Sequence, residues 1–288
     1  MKDTILVVGA TGTVGKQVAI ELAKTGAIVR AATRDPETAI QRSGFPDGIL
    51  PVRFDLEQEN TFDEALSGVD RVFLMARPGD EESDKYAFPL IDAMARNGIK
   101  RVVDLSAMGA ELRPDFALRR IELRLESSPM AWTHLRPNWF MQVFTAGSLL
   151  ATLKQTRSIR VPAGAAKISW VDARDVASVA AATLGPDNIH EGKAYTLTGG
   201  EALDHAEIAS LIESALGIPV KYLSLTDNEA RIALKTAGFP PPWVERLITF
   251  YSLVRTGYAS SVSPSVGEIL HRPPITMTRF IEEYSHMF

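Results

Sequence analysis

The stretch from Thr4 to Lys16, TILVVGATGTVGK, constrains this chain more than any other. It opens with Ile5-Leu6-Val7-Val8, too short for a helix and β-branched enough for a buried strand. Gly9, Gly12 and Gly15 follow, and Val18, Ile20, Leu22 and Ala23 then recur with roughly helical spacing up to Gly26. A strand, a tight glycine turn and a helix N-terminus in that order make a phosphate site. Glycine lets the backbone turn sharply and lets a pyrophosphate approach closely, while first-turn N–H groups and the positive end of the helix dipole face the anion. A P-loop needs four residues between its glycine and the Gly-Lys pair, then Ser or Thr. Here five residues separate Gly9 from Gly15-Lys16 and Gln17 follows, which excludes that site.

The G-x-G-x-x-G spacing is missed by one residue, because position 11 is Thr and the glycines fall as G-x-x-G-x-x-G. That variant, with Ala-Thr-Gly in its middle, resembles the opening of the short-chain dehydrogenase/reductase superfamily. The resemblance implies a dinucleotide whose pyrophosphate rests on Gly9, Thr11, Gly12, Thr13, Val14 and Gly15. Composition narrows the alternatives. A chain of 288 residues fits one large domain, or a large domain with a small appendage. A net charge of −4 argues against a nucleic-acid groove. The absence of cysteine removes disulfides, thiolate nucleophiles and cysteine metal sites. Met1 runs almost straight into the first strand and no apolar run is long enough to cross a bilayer, so a cytoplasmic protein without a membrane partner is expected.

Strand two is expected over 27–32. The residue at its end selects the cofactor: a carboxylate holds the ribose 2′-hydroxyl of NAD, a cation the 2′-phosphate of NADP. Thr33-Arg34 stands there, with Asp35 one position late, so NADP(H) is preferred and NAD(H) remains possible if Asp35 bends back to the ribose. Strand three, 48–54, ends in Asp55-Leu56. Thr61 and Glu64 have the spacing of a capping box. Strand four spans 69–76 and leads into Ala76-Arg77-Pro78-Gly79, a loop expected over the cofactor. A helix from Ser83 or Asp84 closes at Asn97-Gly98, and 101–106 is strand five. The alternation predicts an α/β fold, a Rossmann-type doubly wound parallel sheet with helices on both faces.

In the superfamily, a serine ends strand five and Tyr-x-x-x-Lys follows on the next helix, the lysine lowering the tyrosine pKa. Ser106 occupies the serine position. The expected helix 115–126 has neither tyrosine nor lysine: counting from Glu122, the lysine position is Leu118 and the tyrosine position Pro114. The proton must then come from solvent or another side chain, or there is no turnover.

After strand six (132–136), Arg136-Pro137 leads to Phe140-Met141. Downstream come ISWVDARDVA (168–177), YTLTGG (195–200) and LHRPP (270–274), the last with His271 in place of glycine. This ordered set resembles the atypical branch that includes NmrA-like proteins, type-2 quinone oxidoreductases and ergot-alkaloid reductases, over nearly the whole chain. The resemblance places Asp55 and Leu56 against adenine, Met75, Ala76 and Ser106 along the ribose–nicotinamide channel, and Pro137 beside the nicotinamide. Ser106 and Asn138 are the candidate catalytic side chains, and Asn138, Trp139 and Trp243 the candidate substrate pocket. Phe140 and Phe144 read as core. The five histidines are scattered without a ligand pair, and no metal site is expected.

From Gly200 the strand alternation stops. Residues 1–200 read as the dinucleotide domain, with some later segments contributing, and 201–288 as a smaller, mostly helical substrate part with an aromatic surface suited to a lid. The reading is an NADP(H)-dependent oxidoreductase, monomer or homodimer, passing hydride to a flat electron-poor small molecule such as a quinone, an imine or an activated alkene. Its rival is a non-catalytic NmrA-like redox sensor acting through a protein partner. An isomerase with tightly held NAD fits less well, since such members keep the tyrosine and lysine.

Overall fold

The computed structural model describes residues 3–77 and 79–288, so Pro78 of the expected cofactor loop lies outside the described residues. In chain order the elements are β1 (Thr4–Val7), α1 (Thr13–Lys24), β2 (Ile28–Thr33), α2 (Pro36–Ser43), β3 (Ile49–Arg53), α3 (Phe62–Leu66), β4 (Arg71–Met75), α4 (Asp84–Arg96), β5 (Arg101–Leu105), α5 (Ala117–Glu126) and β6 (Ala131–Pro137). They continue as α6 (Gly147–Thr156), β7 (Ser158–Val161), α7 (Ala173–Thr183), β8 (Lys193–Leu197), α8 (His205–Leu216), β9 (Lys221–Ser224), α9 (Asp227–Thr236), α10 (Pro241–Arg255), α11 (Ser265–Leu270) and α12 (Met277–Tyr284). The chain forms two compact units. The first takes Met1–Pro137, Ala173–Leu197 and Glu268–His271; the second takes Asn138–Asp172, Thr198–Gly267 and Arg272–Phe288. Each unit is thus assembled from separate stretches, with crossings at 137/138 and 172/173 well before residue 200.

The first unit is the doubly wound sheet. Seven parallel strands run in the order β3-β2-β1-β4-β5-β6-β8. The chain steps outward from β1 to β3 and then returns to β4 on the other side of β1, which opens a crevice at the carboxyl end of β1. Both sheet faces are covered, so the strands read as continuous apolar runs: Ile5, Leu6 and Val7 are all buried. Leu6, Val72, Leu74 and Val102 face a core completed by Phe62, Leu90, Ile91, Met94 and Leu125. Helix α1 packs against α7. Each fully buried aliphatic side chain stabilises the unit by about 1.5–3 kcal/mol.

Two local expectations are corrected. The helix expected from Asp115 starts at Ala117. The capping box at Thr61 does not form: its hydroxyl donates to Gln58 O at 2.7 Å and accepts from Asp55 N at 3.1 Å, pinning the turn after β3 instead of the helix.

The second unit has a core around Trp170, Phe144, Ile208, Ile212, Val254 and Phe280. Strands β7 and β9 pair in parallel as a separate small sheet. Asp204 and Glu207 form a capping box at α8, and Gly217 ends that helix in the left-handed region.

Candidate functional site

The glycine turn is built so that backbone, not side chain, faces the crevice. Gly9 follows β1 with φ +75°, and a Cβ there would stand 2.2 Å from Met75 Cε. A Cβ on Gly15 would stand 2.2 Å from the carbonyl oxygen of Gly9, so Gly15 is what lets α1 pack onto the turn. Gly12 is the N-cap of α1 and offers no side-chain cap, and the first turn carries no acid. The first N–H groups of α1 therefore keep their donors and the positive helix end for an anion. Thr11 and Thr13 are exposed, whereas Val14 and Gly15 are buried and can offer only their backbone. The residues present fit a pyrophosphate.

At the end of β2, Arg34 is exposed and has no hydrogen-bond or ion-pair partner among the described residues. Asp35 is the N-cap of α2, its carboxylate accepting from Thr38 N at 3.1 Å. The carboxylate that was to reach a ribose is thus engaged in a helix cap. Thr33 Oγ1 turns to its own backbone at Asp35. Asp55 accepts from Glu57 N and from Gln58 Nε2 at 3.0 Å, so its carboxylate also serves its own turn, while Leu56 packs on the core.

Met75, Ala76, Ser106 and Pro137 stand at or just past the carboxyl ends of β4, β5 and β6. Met75 covers Gly9, and Ala76 and Pro137 are buried. Behind Ser106 lies a buried charge network that the sequence reading did not foresee. Glu122 of α5, wholly enclosed, is gripped by Arg136 through Nε and Nη2, both at 2.8 Å, and by Arg119 Nη1 at 2.8 Å. Arg119 also donates to Glu126 at 2.6 Å, and His134 Nε2 stands 3.4 Å from the same carboxylate oxygen. His134 Nδ1 meets the Asp104 carboxylate across the β5–β6 register.

Burial works against the charge on Glu122, but Arg136, Ser106 and Arg119 outweigh it and hold the carboxyl below its usual range. Burial likewise opposes charge on His134, and the Asp104 carboxylate overrides it, so the imidazole is raised. Asp104 itself is raised, chiefly by burial. The Ser106 hydroxyl is enclosed beside Glu122 and contributes to holding its charge, without a hydrogen bond of full geometry. Glu122, Glu126 and His134 approach as closely as metal ligands do. The two guanidinium groups already occupy the carboxylate oxygens, so the cluster is an ion-pair network. An acid in the middle of the apolar strand RVVDLS, opposite the histidine of WTHLRP, was the available sequence signal.

In the second unit Asn138 is buried and its Nδ2 donates to Ser169 Oγ and to Ala259 O, both at 2.8 Å. Its Oδ1 is enclosed without a partner among the described residues. The Trp139 ring contacts Tyr251 at 5.1 Å and Trp170 at 6.0 Å. That aromatic group includes His205, which burial lowers to about 4 and so keeps neutral. Trp243 stands apart from it, 42% exposed beside Phe239. Phe144 is core, as expected, and Phe140 is half-buried.

Comparison with known proteins agrees with the doubly wound fold. The NmrA-like family model matches residues 1–284. An NAD(P)H azoreductase of Xenophilus azovorans is 31% identical over 290 residues, covering 99% of this chain and 99% of the relative. A (4-alkanoyl-5-oxo-2,5-dihydrofuran-3-yl)methyl phosphate reductase of Streptomyces griseus is 35% identical over 289 residues, again 99% of each. A solved NADPH-dependent quinone oxidoreductase of Escherichia coli is 25% identical with a TM-score of 0.82, covering 97% of this chain and 98% of that one.

Proposed function

The chain belongs to the NmrA-like family, and from that premise we propose that it is an NAD(P)H-dependent reductase of flat, electron-poor small molecules such as quinones, azo compounds or activated alkenes. The observation that carries the proposal is the glycine cradle: an uncapped helix start over which any side chain at Gly9 or Gly15 would collide. The reductase names of the three relatives above support the direction of the chemistry.

Bound NAD(P)H supplies the hydride. The backbone of residues 9–15 holds the pyrophosphate, with Thr11 and Thr13 hydroxyls at its flank. Arg34 and Thr33 take the 2′-phosphate, for which a free guanidinium is the suited group. Asp55 and Leu56 flank the adenine. Met75, Ala76 and Pro137 make an apolar border for the nicotinamide half, and Ser106 shapes that end. The Ser106 hydroxyl and, within the second unit, Asn138 Oδ1 are each enclosed, so we assign neither residue a proton transfer. With Leu118 and Pro114 where a lysine and a tyrosine would stand, water protonates the reduced product. The monoanion left when hydride adds to a quinone or its equivalent needs only one proton, and the protein's task is to position two flat groups at reacting distance.

The second unit carries the acceptor-binding residues in this proposal, with Trp139 the aromatic wall and Trp243 a further, outlying contact. Among the described residues no helix is long and apolar enough to cross a membrane. A cytoplasmic monomer or homodimer acting on a small-molecule acceptor belongs to the same proposal. Steady-state NADPH oxidation against a panel of quinones, azo dyes and enones tests it. An acceptor reduced well above the enzyme-free rate is expected, and a panel indistinguishable from the blank would refute the reading.

A further inference from the structure

Helix α10 carries Val244, Ile248, Tyr251 and Val254 along one face, and all four are buried in the second unit. Tyr251 is the one member of that stripe with a polar handle, and it is only 6% exposed. A buried tyrosine normally gives its O–H a partner, because an unmet hydroxyl away from water is costly. The neighbouring rings either do so or hide their polar atoms. Trp170 Nε1 donates to Leu203 O at 3.1 Å, and the Tyr222 hydroxyl donates to Val161 O at 3.3 Å. Both nitrogens of His205 are sealed from solvent.

The Tyr251 hydroxyl does neither. It has no hydrogen-bond partner among the described residues, yet its oxygen is not sealed as Asn138 Oδ1 and the His205 nitrogens are. An enclosed ring therefore ends in an O–H that meets open space. Beside it stands Trp139, with ring centres 5.1 Å apart and planes tilted by 47°. Trp139 is half-buried, so part of its indole is uncovered. A flat apolar surface and an unclaimed donor are neighbours. That pair suits a flat molecule ending in an acceptor atom, with its ring on Trp139 and a carbonyl oxygen or azo nitrogen on the hydroxyl.

We propose that Tyr251 is a catalytic residue that receives the electronegative atom of the acceptor and donates a hydrogen bond to the charge growing there as hydride arrives. The inference rests on the reductase reading and adds the group that stabilises its transition state. Hydride carries two electrons from NAD(P)H, leaving NAD(P)⁺. The C=O or N=N π bond of the acceptor opens, and an electron pair is left on the electronegative atom. Tyr251 keeps its proton and steadies that pair until water supplies the one proton the product needs. Burial, and then the neighbouring Tyr222, push the phenol upward, so it serves as a donor and not as an acid.

The test compares the full wild-type chain with Tyr251→Phe, which keeps the ring against Trp139 and removes only the O–H. With a quinone acceptor, kcat is expected to fall at least about tenfold. NADPH affinity should stay within about twofold and Tm within about 3 °C. A second readout needs no turnover: calorimetric binding of para-nitrophenolate, an anionic mimic of the reduced product, to the cofactor-free chain. Tyr251→Phe should weaken it at least about fivefold.

An unchanged kcat, or phenolate binding that is equal in the two proteins or absent from both, would overturn the inference. So would a fall in kcat matched by lost NADPH affinity or a larger drop in Tm, since that marks structural damage. A wild type that bound NADPH but reduced no acceptor would instead defeat the reductase reading itself.

Discussion

Adding one methyl group at two neighbouring glycines separates the binding role of the turn from its packing role. At Gly15 a new Cβ meets the Gly9 carbonyl oxygen at 2.2 Å, the Gly9 carbonyl carbon at 2.6 Å and Ala10 N at 3.0 Å. All three are backbone atoms of a turn fixed by β1, and ordinary contact begins near 3.4 Å, so α1 must lift away by about 1 Å. Overpacking on that scale costs roughly 1–3 kcal/mol. In a domain of this size that lowers Tm by about 3–10 °C. At Gly12 the new Cβ would stand 3.3 Å from Gly9 O and 3.8 Å from the flexible end of Met75, and the residue has φ −86°, a conformation alanine accepts. Alanine there also restricts the unfolded chain, so stability should stay within about 1 kcal/mol. The methyl would, however, project into the opening where a pyrophosphate must lie. The expected result is that Gly12→Ala keeps Tm within about 3 °C and loses NADPH affinity by at least about tenfold. Gly15→Ala should lose both. Thermal melts and NADPH titrations on the two variants decide it. Undiminished NADPH binding in Gly12→Ala would refute the placement of the pyrophosphate, and an unchanged Tm in Gly15→Ala would refute the close-packing argument.

The buried network makes stability depend on pH in two windows. His134, raised by Asp104, contributes in full below its unfolded value of 6.5 and loses that contribution as pH rises through its folded value. Wild-type Tm should therefore fall above neutrality, and His134→Gln, less stable overall, should lack that fall; an identical slope in the variant would exclude the pair as its cause. Glu122, lowered, contributes above its unfolded value of 4.5 and loses this as pH falls through its folded value, so Glu122→Gln should flatten the acid limb of the Tm profile. Removing one partner of this pair strands Arg136, and a loss of about 3–5 kcal/mol is expected near neutral pH by denaturant melts. His271 adopts φ +52°, left-handed for a side-chain-bearing residue, so His271→Gly should raise stability by roughly 0.5–1 kcal/mol in the same assay. Trp139→Ala should raise KM for an aromatic acceptor severalfold while leaving NADPH affinity within about twofold, as expected for a ring that packs against Tyr251 and Trp170.

The parts of this protein legible in the sequence are those in which neighbouring residues act on each other. Ile5 to Gly15 announced a strand, a turn and a helix because apolar run, glycine spacing and helical period are all local, and those residues form the cradle. Arg34 could be named as a cation, but that it has no counterion among the described residues, and that Asp35 is spent on a helix cap, depended on the folded turn. Thr61 and Glu64 had the spacing of a capping box and did not form one, because the turn after β3 offered the hydroxyl two backbone partners first.

Other features were set only when strands took their register. Asp104 meets His134 from 30 positions away because β5 and β6 align there, and Arg136 meets Glu122 because α5 crosses the same face. Sequence determined the chemistry each side chain could offer. Only the tertiary structure decided which charges would be spent on one another and which would be left facing water, because pairing between distant segments is fixed by strand register and burial rather than by position along the chain.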